Sequence, residues 1–190
     1  MKNELMIEML KNKVPPSQTS NAQKPYTFLS EKIVNLLNFR ILEEEKSSRI
    51  YLAFSLELQD KAFFNAAKLY KKYSEEELVH ANKAREYLMS FNILPKTQPI
   101  PFVENETGGL VEIIQKTLEH EALVTQQCKD LAKAAMEEGD YLTFALAHFY
   151  LNEQREEMEK SWDYQNHIET FGTDKIALKL LDDYIGETLD

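Results

Sequence analysis

Hydrophobic positions from residue 29 onward recur every three or four residues, the spacing that places them on one face of a helix. Ser30, Asp140 and Asp174 are residue types that cap helix N-termini, and Gly139 and Gly172 are typical helix stops. The pattern predicts an all-α fold with four long helices and a shorter fifth helix ending near residue 188. The long helices are expected at about residues 29–58, 61–90, 109–138 and 141–170.

The connections between these helices predict the topology. The first and second helices, like the third and fourth, are joined by only a few residues, which makes them antiparallel neighbours. The connection over residues 91–108 contains three prolines and can span up to about 60 Å, whereas a 28-residue helix is only about 42 Å long. We therefore expect a four-helix bundle with one long crossover loop and a short fifth C-terminal helix, in which the second and third helices run parallel.

Each predicted long helix has an inward-facing stripe that is interrupted by polar residues near its midpoint. The rest of each stripe is apolar, small or aromatic. Midpoints of similar-length bundle helices lie at one level, so the interrupting side chains are expected to converge at the centre of the core. They are Glu44 on the first helix, Glu77 and His80 on the second, Glu121 on the third, and Gln154 and Glu157 on the fourth.

Several carboxylates in one core require positive charge, because an isolated buried anion is strongly unfavourable. The four stripes contain no lysine or arginine, so we expect divalent metal to supply that charge. A set of carboxylates with one imidazole suits iron or manganese better than structural zinc. Glu77 and His80 lie three residues apart on one helix face and can bind the same metal ion.

The composition of the chain indicates which classes of binding partner and which compartment to expect. The chain has 22 Lys and Arg against 32 Asp and Glu, a net charge of −10, which favours cations and excludes the basic face that nucleic acids need. Its single cysteine, Cys128, excludes an intramolecular disulfide and fits a reducing compartment. No apolar run approaches the roughly 20 residues of a membrane span. We therefore predict a cytoplasmic protein without a nucleic-acid or membrane partner.

The N-terminal 28 residues lack the long helical pattern of the rest of the chain. A possible short amphipathic helix is followed by VPPSQTSNAQKPY, which is typical of a linker. We predict an extension over residues 1–28, either flexible or a short docking helix, and a single helical domain over residues 29–190.

Four segments resemble bacterial-type non-haem ferritins, members of the ferritin-like di-iron four-helix bundle family: LNFRILEEEKSSRIYL, SEEELVHA, LEHEALVTQ and HFYLNEQREEME. The resemblance covers about residues 29–171. It implies a di-iron ferroxidase centre within one subunit, with one iron held by Glu44, Glu77 and His80. It implies that Glu121 and Glu157 hold the second iron, with Gln154 as a weak ligand or polar neighbour.

The same resemblance assigns further residues. Tyr51 corresponds to the family's tyrosine beside the site, which could supply an electron or a proton. Glu76, Glu153 and Glu156 correspond to the carboxylates of a third iron site. Leu78 takes the position of the haem-ligating methionine of bacterioferritin, so no haem is expected.

By resemblance, the protein is expected to be a homo-oligomeric cage of 24 subunits that oxidises Fe(II) with O₂ or H₂O₂ and stores Fe(III) as mineral. Two alternatives stay open at this point. One is a rubrerythrin-like di-iron oxidase or peroxidase without storage, although the chain has no CxxC…CxxC module. The other is a metal-free helical interaction protein, against which the intact set of ligands argues.

Overall fold

A computed structural model describes residues 28–189, which form a bundle of α-helices as predicted. The helices are α1 (Glu31–Asp60), α2 (Phe64–Ser90), α3 (Leu110–Glu138), α4 (Tyr141–Phe171) and α5 (Lys175–Glu187). Helix α1 packs along α2, α3 packs along α4, and the short α5 lies against α2 and α4. None of these helices has the length and hydropathy needed to cross a membrane. The predicted N-terminal extension lies outside the described residues except for Phe28.

Local capping signals set most helix boundaries. The side chains of Ser30, Asp140 and Asp174 each accept a hydrogen bond from a backbone N–H in the first turn of the helix that follows. Gly139 ends α3 in the left-handed conformation, with φ of 68°. These boundaries agree with the sequence predictions because each depends on residues close in the chain.

The start of α2 depends on a distant residue. The helix begins at Phe64, three residues later than predicted, after a turn in which Ala62 has φ of 65°. The N-cap residue Phe63 makes no side-chain capping bond. Instead the Asp182 carboxylate of α5 accepts hydrogen bonds from the backbone N–H groups of Asn65 (3.1 Å) and Ala66 (2.9 Å). Helix α5 therefore completes the first turn of α2.

The hydrophobic core is divided into two clusters along the bundle axis. The lower cluster packs near the start of α1 and the upper cluster near its end, and polar side chains lie between them. The lower cluster includes Leu37, Ile41, Leu88, Val124 and Tyr150. The upper cluster includes Tyr51, Tyr70, Ile114, Tyr164 and Ile185.

The crossover loop is attached to α1 at two places. Near the lower end, the side-chain oxygen of Asn38 accepts a hydrogen bond from the Lys96 N–H at 2.7 Å. Near the upper end, the Glu57 carboxylate accepts hydrogen bonds from the N–H and hydroxyl of Thr107 and the N–H of Gly108, at 2.6–3.0 Å. The attachment points are 19 residues apart, about 28 Å of helix. The loop therefore runs along the bundle, and α2 and α3 are parallel as predicted.

Burial raises the pKa of Glu57, but the hydrogen bonds from Thr107 and Gly108 outweigh burial and leave it below its ordinary value of 4.5. Glu57→Ala is expected to lower the free energy of unfolding by about 1–3 kcal/mol, because the loop N–H groups lose their acceptor. The check is urea unfolding followed by circular dichroism.

A lowered carboxyl pKa stabilises the folded state at pH above the ordinary value and loses its effect as pH falls through the folded value. The difference in the free energy of unfolding between wild type and Glu57→Ala should therefore become smaller only at acid pH. The control is Glu106→Ala, which removes an exposed glutamate of the same loop. An equal loss of stability in both variants would contradict the role of Glu57.

Candidate metal centre

The space between the two apolar clusters is filled by polar side chains from four helices. The structure brings together all six side chains that interrupt the predicted stripes. Glu44 and Glu121 are each 2% exposed, and Glu77 is 4% exposed. The full set is Glu44, Glu77, His80, Glu121, Gln154 and Glu157. Their convergence follows from the midpoint positions of the four stripes.

The possible ligand atoms form two overlapping groups. One atom each from Glu44, Glu77 and His80 lie within 4.8 Å of one another, and so do atoms of Glu77, Glu121 and Glu157. Glu77 belongs to both groups. Nδ1 of His80 lies 3.4 Å from Oε2 of Glu77 across one turn of α2. The arrangement can hold two metal ions that share one carboxylate.

Gln154 connects the carboxylates of the second group. Its amide nitrogen donates to Oε2 of Glu121 at 3.0 Å and to Glu157, while its amide oxygen accepts from the Thr125 hydroxyl at 3.1 Å. The Gln154 nitrogen is therefore directed at two carboxylates, and its role as a weak ligand or a polar neighbour stays a prediction.

The prediction that the centre has no basic partner is wrong. Arg40 is 2% exposed, and its Nε lies 2.7 Å from Oε1 of Glu44. The four-three stripe passes through positions 37, 41 and 44 and so omits residue 40, although residues four apart share a helix face. An arginine one turn before a buried glutamate, at a position otherwise suited to the core, was the signal that could have revealed the pair.

Burial dominates the acid–base properties of the carboxyl groups. It raises the pKa of Glu77 to about 7 and places the pKa of Glu44 well above its ordinary value, although the Arg40 charge opposes the change at Glu44. Burial also raises the pKa of Glu121 and of Glu157, and the charge of Glu121 raises that of Glu157 further. Without metal the centre therefore retains protons near neutral pH, and a binding cation displaces them.

Tyr51 lies immediately above the centre in the upper cluster. Its ring centroid is 5.9 Å from that of Tyr70 and 5.8 Å from those of Tyr73 and His120. Within residues 28–189 its buried hydroxyl has no hydrogen-bond partner. No sequence pattern indicates a role for His120, but burial lowers its pKa to about 4, so a neutral imidazole faces the Tyr51 ring.

The three carboxylates predicted for a third iron site differ in their burial and in their contacts. Oε2 of Glu153 lies 3.6 Å from Nε2 of His80, at the edge of the centre. Glu76 is half-buried, whereas Glu156 is exposed and pairs with Arg155 at 3.1 Å. Among the described residues, neither group of possible ligands includes any of the three. The third iron site stays a prediction.

Sequence comparison places this bundle and its carboxylate centre in a known family. The family model described as the ferritin-like domain matches residues 34–171. The chain belongs to the ferritin family. This confirms the resemblance seen in the four sequence segments.

Individual ferritins support the assignment. A probable bacterial non-heme ferritin-like protein of Haemophilus influenzae is 32% identical over 83% of this chain and 96% of its own length. The bacterial non-heme ferritin of Campylobacter jejuni is 29% identical over 83% of this chain and 94% of its own. The open-pore ferritin of the archaeon Archaeoglobus fulgidus matches with a TM-score of 0.80 at 27% identity, covering 83% of this chain and 98% of that one.

The Arg40–Glu44 pair predicts opposite effects of removing two buried carboxylates. Glu44→Leu should destabilise the metal-free ferritin by about 3–5 kcal/mol, because it leaves a buried guanidinium without its anion. Glu121→Leu should leave stability unchanged or higher, because it removes a buried acid that, within residues 28–189, has no cationic partner at contact distance. Chemical unfolding in the presence of a chelator measures both.

The double variant Arg40→Met/Glu44→Leu is the matched control. It replaces both charges by apolar groups and should recover most of the stability that Glu44→Leu loses. If the double variant is as unstable as Glu44→Leu, then the loss comes from packing at position 44 and not from the unpaired arginine.

The raised carboxyl pKa values predict how stability depends on pH. Between the ordinary value of 4.5 and the raised folded values, the folded chain binds more protons than the unfolded chain. The stabilisation is complete below pH 4.5 and is lost as pH rises through the folded pKa values. The melting temperature of the metal-free protein should therefore fall from pH 6 to pH 9.

Glu157→Gln removes one of these groups and should make that decline shallower. Glu159→Gln removes an exposed carboxylate two residues away and serves as its control. If the melting temperature falls equally steeply with pH in wild type and in Glu157→Gln, Glu157 does not retain a proton in the folded state.

Proposed function

We propose that this ferritin stores iron and that its bundle centre oxidises Fe(II) to Fe(III). The observation that carries the proposal is the overlap of two groups of possible ligands at Glu77. One carboxylate shared between two three-residue groups is the arrangement expected for a pair of metal ions. A single structural ion would need only one of the groups.

The substrates are two Fe(II) ions and an oxidant. Each Fe(II) gives up one electron, so a pair reduces O₂ and two protons to H₂O₂, or H₂O₂ and two protons to two waters. Glu44, Glu77 and His80 hold one ion, and Glu77, Glu121 and Glu157 hold the other. Carboxylates are hard anionic ligands and favour Fe(III) over Fe(II), which drives the oxidation.

The two positions differ, which suits iron that passes through the centre. One position has an imidazole, whereas the other has only carboxylates, two of which are connected by the Gln154 amide. A permanent di-iron cofactor is better served by two equally strong positions. We therefore favour storage over a rubrerythrin-like oxidase that retains its iron.

The surface supports assembly into a cage. Leu52, Leu56 and Val79 are large apolar side chains that are 45–65% exposed in the single chain. Side chains of this kind are commonly covered in an assembly. We propose a homo-oligomer of 24 subunits in the cytoplasm, without haem, in which the acidic character of the chain (net charge −10) gathers Fe(II) for mineral growth.

Rapid-mixing titration with Fe(II) in aerobic buffer tests the ferroxidase. The initial oxidation phase should saturate at two Fe(II) per chain. His80→Ala should slow this phase at least tenfold, because one position loses its imidazole, while the oligomer size stays unchanged. Glu119→Gln, which changes an exposed side chain on α3, is the control.

Absence of any saturable phase in the wild type would favour a metal-free interaction protein. An unchanged initial rate in His80→Ala would remove His80 from the centre.

Electron microscopy after aerobic iron loading tests storage separately. Hollow particles that fill with electron-dense mineral are expected. Fast stoichiometric oxidation without filled particles would instead indicate a di-iron oxidase or peroxidase.

A further inference from the structure

Arg40 is a permanent positive charge within contact distance of Glu44, one of the proposed metal ligands. The residue is almost completely buried, and a guanidinium does not lose its proton in proteins. Its Nε lies 2.7 Å from Oε1 of Glu44. One terminal nitrogen donates to Oε1 of Gln127 at 3.3 Å and to Sγ of Cys128 at 3.5 Å. These contacts come from α1 and α3, so the guanidinium is held from both sides.

The ion pair limits what Glu44 can offer a metal. Oε1 of Glu44 is in ion-pair contact with the guanidinium, and Glu44 also belongs to the group of possible ligands with Glu77 and His80, so one of its two oxygens is already opposed by a positive charge. An ion bound there lies close to the fixed charge of Arg40 and is repelled by it. Among the described residues, no arginine forms an ion pair with Glu77, Glu121 or Glu157, so no oxygen of the second group is opposed in this way.

The charge balance of the centre also indicates that Arg40 disfavours bound cations. Two divalent ions match the charge of the four carboxylates when all are ionised. With both ions bound, the guanidinium is an excess positive charge in a buried site. Without ions, the same guanidinium neutralises one of the carboxylates. Arg40 therefore stabilises the empty centre relative to the filled one.

We propose that Arg40 is a positioning residue that occupies one oxygen of Glu44 and weakens cation binding at the Glu44–Glu77–His80 position. This inference rests on the proposed function. Its consequence is that the centre returns readily to the empty state after each pair of ions has passed. Arg40 acts through Glu44 and does not itself contact substrate.

Zinc binding measured by titration calorimetry tests this without redox chemistry. Arg40→Gln should bind Zn(II) at the Glu44–Glu77–His80 position on the order of tenfold more strongly than wild type, because repulsion from a unit charge a few ångströms away is removed. Arg40→Lys keeps the charge and should bind within about twofold of wild type. Arg85→Gln, which removes the half-buried partner of Glu45, is the matched control and should bind like wild type.

Thermal stability provides a readout that distinguishes positioning from a purely structural role. Arg40→Gln should melt at a lower temperature than wild type without metal, and at nearly the same temperature when zinc is saturating. If the variant is unfolded without zinc but folds with zinc, the proposal is supported. If it stays unfolded in saturating zinc, Arg40 serves only the structure and the proposal is wrong.

The remaining outcomes separate the two proposals. If wild type binds zinc and Arg40→Gln binds it equally or more weakly, the inference about Arg40 is overturned while the ferroxidase proposal stands. If wild type shows no saturable zinc binding, the metal centre itself is absent and both proposals fail.

Discussion

The burial of acidic side chains between two apolar clusters is the constraint on which the rest of the structure depends. Four glutamates from four helices meet where water is scarce, and such groups must be neutralised by protons, by a cation or by a basic side chain. In the metal-free state, these glutamates are neutralised by protons and by Arg40. Similar helix lengths and the crossover loop keep the four midpoints at one level. The fold is therefore arranged around a layer that, on its own, weakens the core.

This layer also explains why the two apolar clusters are so rich in aromatic side chains near it. Tyr51 and Tyr73 lie immediately above the carboxylates, and Tyr150 lies below them and donates to the His80 carbonyl oxygen at 2.8 Å. Large rings exclude water from the layer while their polar ends can face it. Desolvation is what raises the carboxyl pKa values and makes the centre attractive to cations. The aromatic packing and the acid–base chemistry are thus two aspects of one arrangement.

Much of the fold and most of the candidate site could be predicted because their signals are local or periodic. The caps at Ser30, Asp140 and Asp174 need only neighbouring residues, and the midpoint interruptions at Glu44 and Glu121 follow helical spacing. Two features were not predicted from these signals. Arg40 lies just off the stripe, and its pairing depends on side-chain direction. The start of α2 depends on Asp182, more than a hundred residues away, which no local pattern reveals.

The contact between Asp182 and the start of α2 has a consequence for how the chain matures. The N–H groups of Asn65 and Ala66 gain their acceptor only when residue 182 has been synthesised, more than a hundred residues after them. During translation, α2 can form its middle turns against α1 while its first turn frays. Synthesis of α5 is therefore coupled to closure of the first turn of the helix that carries Glu77 and His80.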